Sequence, residues 1–253
     1  MRRTCRWVVA AMGVAFATLS YTWMTLPDVR ALKREPPATT AFRELRAEQA
    51  ADAGRTLKMQ HRWVSYDRIS PHLKRAVTVA EDAAFWEHEG LDFDEIRASL
   101  EVNWMRGEFV RGASTITQQL AKNLYLSPSR NPYRKVRELL ITRRLEAELS
   151  KRRIFELYLN LIEWGDGIWG AEAAARAHFG VSAAALTPAQ AAMLAGAIIN
   201  PRVYSPSRPN ARLLRRQALI LRRMGTVTPP DTPAQPAAAP AVPVIPPPPF
   251  IIR

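Results

Sequence analysis

Residues 70–90 read Ser-Pro-His-Leu-Lys-Arg-Ala-Val-Thr-Val-Ala-Glu-Asp-Ala-Ala-Phe-Trp-Glu-His-Glu-Gly. Ser70 is a helix N-cap residue, and Pro71 suits the first helical position, where a missing N–H costs nothing. Leu73, Ala76, Val77 and Ala80 recur at helical spacing. This pattern predicts a helix opening at Pro71 and ending at Gly90. Glu81 follows the apolar stripe by one residue and is placed for partial desolvation. Burial raises a carboxylate's pKa, which suits a general base. On these residues alone, a solvated helix end is the favoured reading of the acids.

The same signals recur downstream. Ser114 can cap a helix through TITQQLAKNLYL, and Pro132 opens a long one through YRKVRELLITRRLEAELS. KRRIFELYLNLIEW follows. Thr187 and Gln190 form a capping-box pattern before AAMLAGAII, which Asn200-Pro201 stops. A last helix runs from Pro209 to Met224 and ends at Gly225. No alternating strands, Asn-Gly hairpins or repeats stand out, so the expected fold class is mainly α, in one lobe or two.

Two of these helices carry chemistry. Thr115, Gln119 and Lys122 are spaced i, i+4, i+7 and share one face. They offer a hydroxyl, a carboxamide and an ammonium, which suit a sugar hydroxyl and a phosphate. Free N–H groups at Gly112–Ser114 would favour an anion as well. A polar surface helix is the plain alternative. Arg134 and Glu138 are i, i+4 neighbours, worth only about 0.3–0.5 kcal/mol if exposed.

The termini differ from this body. Trp7 to Leu26 is an uncharged run of twenty residues preceded by Arg2, Arg3 and Arg6. Twenty helical residues span roughly 30 Å, the thickness of a bilayer core. The positive-inside rule keeps the N-terminus cytoplasmic and exports the rest. A cleaved signal peptide ending near Ala15-Phe16-Ala17 is the competing reading. The uncleaved anchor is favoured, because the run is long for a signal and Trp7, Tyr21 and Trp23 suit the two interfaces. At the other end, residues 226–253 hold ten of the twenty prolines and read as a disordered Pro/Ala-rich tail. The expected division is 1–6 cytoplasmic, 7–26 transmembrane anchor, 27–60 juxtamembrane linker, 61–225 catalytic domain and 226–253 tail.

The chain of 253 residues has a formal net charge of +13, of which +9 falls on residues 40–225. Such an excess suggests an anionic partner, but export argues against nucleic acid. One cysteine excludes an internal disulfide scaffold, and four histidines without an HExxH pair argue against a zincin.

The order and wording of five segments go further. EDAAFWEHEG (81–90), RGASTITQQLAKN (111–123), RKVRE (134–138), SKRRIFELYLN (150–160) and GDGIWGAEAAARAHFG (165–180) resemble the five successive motifs of the peptidoglycan glycosyltransferases, glycosyltransferase family 51. The resemblance runs from about Trp63 to Met224. GDGIWGAEAAA and ALTPAQAAMLAGAIINPRVYSP are most similar to the monofunctional branch. No serine precedes a lysine by three residues and no KTG is present, as a penicillin-binding transpeptidase would need. Ala113 stands where many relatives have a second glycine, and the tail lies outside the family pattern.

The resemblance implies a lysozyme-like α-helical domain with a smaller membrane-proximal lobe, on the periplasmic side of the inner membrane. It implies polymerisation of lipid II by inverting transfer, with release of undecaprenyl pyrophosphate. Glu81 matches the general base and Glu138 the second essential acid, which acts at the pyrophosphate directly or through a divalent cation, Mg2+ or Mn2+. No organic cofactor is implied. Asp82, Phe85, His88, Ser114, Thr115, Gln118, Gln119, Lys122, Asn123, Arg134 and Lys135 match positions that bind substrate or shape the site. Trp104, Met105 and Phe109 lie where the family carries a membrane-dipping segment. Lipid II, the growing glycan strand, membrane lipids and cell-division or elongation proteins are the implied partners. A lytic hydrolase acting on finished glycan and a non-catalytic wall scaffold are the rival readings.

Overall fold

The computed structural model describes residues 2–108, 112–127 and 131–225. The expectations for Phe109, Arg111 and the tail at 226–253 lie outside the described residues. The fold is mainly α, with helices α1 (Arg2–Met24), α2 (Ala41–Asp52), α3 (Pro71–Glu81), α4 (Phe93–Arg106), α5 (Ile116–Tyr125), α6 (Pro132–Glu148), α7 (Lys151–Leu161), α8 (Ala171–Phe179), α9 (Pro188–Ala197) and α10 (Ala211–Met224).

The core forms where α9 packs against α3 and α10, and where α5 packs against α6 and α7. Helix α9 is buried from Ala191 to Ala197. Its alanines and Gly196 let the neighbouring helices approach closely. Leu73, Val77, Ile116, Leu120, Ile154, Phe155 and Leu194 are fully buried around it. Each large apolar side chain of this kind contributes about 1.5–3 kcal/mol.

A small sheet corrects the expectation that strands are absent. Strand β1 (Gln60–His61) pairs in parallel with β3 (Ile168–Trp169), and β2 (Glu163–Gly165) pairs with β3 antiparallel. Asp166-Gly167 turns the β2–β3 hairpin. Gly167 has φ +73°, and a Cβ there would lie 2.5 Å from the Lys58 carbonyl oxygen, so only glycine fits.

Helix α1 covers most of the expected span, and its Trp7, Val9, Met12, Phe16 and Leu19 are exposed. Among the described residues no helix is long and apolar enough to cross a membrane. The transmembrane span expected over Trp7–Leu26 is therefore not shown. Its last third is polar: the Thr18, Thr22 and Thr25 hydroxyls donate back to the carbonyls of Val14, Thr18 and Tyr21. That end docks on α6. Thr22 is buried and hydrogen-bonds the Tyr133 hydroxyl at 2.9 Å. Arg137 donates to the Thr25 carbonyl, and Arg144 to those of Leu26 and Pro27.

Candidate active site

Helix α3 starts as expected, with the Ser70 hydroxyl accepting from the His72 N–H at 3.2 Å. It stops at Glu81, well before Gly90. The reason is tertiary. The Asp82 carboxylate accepts the Ile116 N–H, the first of α5, at 2.9 Å. Asp82 also pairs with His88 Nε2 at 3.0 Å. His88 Nδ1 accepts the Gly90 N–H at 3.1 Å, so Nε2 carries the proton and donates to Asp82. The Thr115 hydroxyl donates to the Gly90 carbonyl at 2.8 Å. Gly90 itself has φ +85°, and a Cβ there would lie 2.7 Å from Thr142 Cγ2.

These bonds give several of the expected substrate-binding or site-shaping residues partners within the protein. Asp82 sits on the N-terminus of α5, where the protein's own carboxylate takes the Ile116 N–H, while Gly112–Ser114 line the adjoining cleft. The N-cap of α5 is Thr115, not Ser114, and Thr115 forms a capping box with Gln118. Both side chains are buried in that cap. Thr115 therefore leaves the face that Gln119 and Lys122 share. Phe85 is fully buried against Trp86 and Phe155, with ring centroids 4.9 and 5.3 Å away. Asp82, Phe85, His88, Thr115 and Gln118 thus frame Glu81. Ser114 is exposed at the mouth of the adjoining cleft.

Glu81 accepts a hydrogen bond from Gln119 Nε2 at 2.9 Å. Burial pushes its pKa above the usual carboxylate range, opposed by the Gln119 bond and by the charges of Arg216 and Lys122. The Gln119 carbonyl oxygen accepts in turn from the Tyr158 hydroxyl at 2.9 Å. Sequence reasoning missed both Tyr158 and Arg216. Tyr158 reads as one more apolar position of α7. Arg216 sits in the amphipathic pattern of α10, whose basic face was the available signal.

Glu81 lines one cavity, and its hydrogen-bond partner Gln119 lines another. A cleft of about 570 Å³ is lined by Glu81, Asp82, Asp92, Asp94, Glu95, Ser114 and Arg223, with small residues between them. A second cavity of about 230 Å³ is lined by Gln119, Lys122, Asn123 and Tyr158 on one side. Phe42 and Arg46 of α2, with Asn200 and Pro201, line the other. The segment set apart as a linker thus contributes a wall of this cavity. Asn123 is tied to α5, donating to the Gln119 backbone carbonyl at 2.8 Å.

Lys122 is half-buried, and its ammonium makes no hydrogen bond or ion pair among the described residues. Burial lowers its pKa, while the nearby carboxylates of Glu138 and Glu81 act in the opposite sense. On α6, Arg134 donates to Glu138 Oε2 at 2.8 Å and Lys135 to Glu138 Oε1. Glu138 is 3% exposed. This arrangement does not fit a divalent cation at Glu138, because both carboxylate oxygens are held by protein cations. Among the described residues, the one converging group of metal-ligating side chains is Asp82, His88 and Asp92. Its atoms serve the loop: His88 bonds through both nitrogens, and Asp92 caps α4 by accepting the Glu95 N–H at 2.7 Å.

Sequence comparison adds a family to this geometry. The transglycosylase family model matches residues 48–225. A biosynthetic peptidoglycan transglycosylase of Laribacter hongkongensis is 47% identical over 223 residues, covering 88% of this chain and 98% of that protein. Another, from Methylobacillus flagellatus, is 51% identical over 188 residues, covering 74% and 82%. A third, from Aromatoleum aromaticum, is 53% identical over 168 residues, covering 66% and 73%. Since the matched span holds Glu81, Gln119, Lys122, Tyr158 and Glu138, the chain belongs to the transglycosylase family and is a glycosyltransferase.

Proposed function

We propose that this glycosyltransferase polymerises lipid II into β-1,4-linked peptidoglycan strands and releases undecaprenyl pyrophosphate. The observation that carries the reading is the placement of Glu81. It is a carboxylate of raised pKa in the wall of one cavity, hydrogen-bonded to Gln119 of a second cavity that Lys122 also lines. The acceptor 4-hydroxyl lies in the cleft beside Glu81. As its oxygen bonds to the anomeric carbon of the donor, Glu81 takes the hydroxyl proton. The bond from that carbon to the diphosphate oxygen breaks on the opposite face, which inverts the centre. Lys122 meets the charge that develops on the diphosphate. Arg134 and Lys135, in excess of Glu138 by one positive charge, reinforce it. No step needs a metal ion.

The reaction is glycan polymerisation without transpeptidation, in keeping with the absence of SxxK and KTG. The catalytic domain is lysozyme-like and faces the periplasm, held to the inner membrane by the run Trp7–Leu26. Exposed apolar side chains on α1 support that anchor. Helix α4, with Trp104 89% and Met105 77% exposed, forms the smaller membrane-proximal lobe. Membrane lipids and division or elongation proteins are its further partners.

Lipid II supplied as the sole substrate tests the reading. Chain growth is the expected result. Inertness toward lipid II, together with digestion of purified sacculi, would make the protein a lytic hydrolase instead.

A further inference from the structure

Tyr158 is fully buried on α7, and its hydroxyl bonds Gln119 Oε1 at 2.9 Å. Burial, with the charges of Glu81 and Asp82, drives its pKa far above the ordinary phenol value, so it remains an O–H donor. A buried O–H left without an acceptor is costly. The Gln119 carbonyl oxygen is therefore held toward Tyr158, and the amide NH2 is left facing Glu81 at 2.9 Å.

The reversed amide would set Gln119 Oε1 against a Glu81 oxygen. Two acceptors at that distance repel while Glu81 is ionised. They are reconciled only when Glu81 carries a proton to donate. Amide orientation and the charge on the carboxylate are thus coupled through one side chain.

We propose that Tyr158 is a positioning residue for the base: by fixing the Gln119 amide with its NH2 toward Glu81, it favours the ionised carboxylate that accepts the substrate proton. The proposal rests on the reading of Glu81 as the base. The other charges facing Glu81 are Asp82 beside it, Lys122 on α5 and Arg216 on α10. Asp92, Asp94, Glu95 and Arg223 line the same cleft. Of all these groups, Gln119 is the one that donates a hydrogen bond to the carboxylate, and Tyr158 is what orients it.

The test is the pH dependence of kcat/KM for lipid II polymerisation by the full chain in detergent. Tyr158→Phe keeps the ring and removes the donor. Its acid limb is expected to move up by about one pH unit, a tenfold loss on the acid side, with KM little changed. In a Gln119→Leu background the same substitution is expected to add no further shift, because no amide remains to orient. Should Tyr158→Phe fail to fold, Tyr158→Met carries the same expectation. An acid limb that coincides with wild type would overturn the proposal. So would an equal shift with Gln119 already removed. Glu81→Gln run alongside separates the two levels. Activity in that variant refutes the base assignment itself. Its inactivity with an unmoved Tyr158→Phe profile refutes only the role of Tyr158.

Discussion

The two cavities on either side of the Glu81–Gln119 hydrogen bond, one lined by each residue, differ in charge. The larger cleft presents five carboxylates, those of Glu81, Asp82, Asp92, Asp94 and Glu95, against the guanidinium of Arg223. The smaller one presents Lys122 without a partner, while Arg46 and Glu163 in its far wall neutralise each other at 2.9 Å. A diphosphate is repelled by the first and attracted by the second. A neutral sugar hydroxyl is accepted by the first. In the proposed reaction this contrast separates deprotonation of the acceptor from stabilisation of the leaving group, with Glu81 lining the acidic cleft and its partner Gln119 lining the other cavity.

The comparison breaks most readily at Lys122. Lys122→Met is expected to lower kcat about 10²–10³-fold, measured by lipid II turnover, because a charge aimed at the leaving group acts chiefly in the transition state. Lys122→Arg is expected to recover part of the loss. Equal activity of the methionine variant would leave the smaller cavity without its role.

Next in size is Glu138→Gln. It leaves Arg134 and Lys135 around a buried neutral amide, but Lys135 is about half exposed and Arg134 partly so, and solvent holds the cost to about 1–2 kcal/mol. A modest fall in thermal unfolding temperature is expected, read by circular dichroism. Chelator is expected to change wild-type polymerisation little, since the Glu138 oxygens are already occupied.

The pH profile sharpens the contrast. Glu81 must be ionised to act, and burial raises its pKa, so activity falls as pH drops through that raised value. Lys122 must be protonated, and burial lowers its pKa, so activity falls as pH rises through a value below the ordinary lysine range. A bell narrower than two unperturbed groups would give is expected from kcat against pH. Losing the alkaline limb in Lys122→Arg would assign it. The smallest effect is expected from Asp94→Asn. It removes one of five charges from the acidic cleft and should change turnover less than about tenfold.

How far the sequence reveals this site depends on the range of the interactions that build it. Local grammar was legible. Ser70-Pro71, Pro132 and the Thr187–Gln190 box open α3, α6 and α9 as read. The acids Glu81 and Glu138 were visible through the resemblance. Long-range bonds were not. Periodicity runs α3 on to Gly90, but the Asp82 bond to the Ile116 N–H, 34 residues away, ends it at Glu81. Thr115-Ile116-Thr117-Gln118 carries a capping-box pattern that Ser114 obscured, so the capping role of these two side chains was missed. The strands are two or three residues long, too short for alternation to register. Asp166-Gly167 was the turn signal that marked their hairpin. Tyr158 was hidden because its ring packs like any core residue, and only its hydroxyl reaches the site.

The central claim is that Glu81, in the acidic cleft, is the base that takes the acceptor proton. Lipid II polymerisation by Glu81→Gln beside wild type tests it most directly. The amide keeps the size of the carboxylate and cannot take the proton. The expected result is a loss of at least about 10²-fold in kcat with thermal unfolding unchanged. Turnover within a few-fold of wild type in a folded Glu81→Gln protein would contradict it.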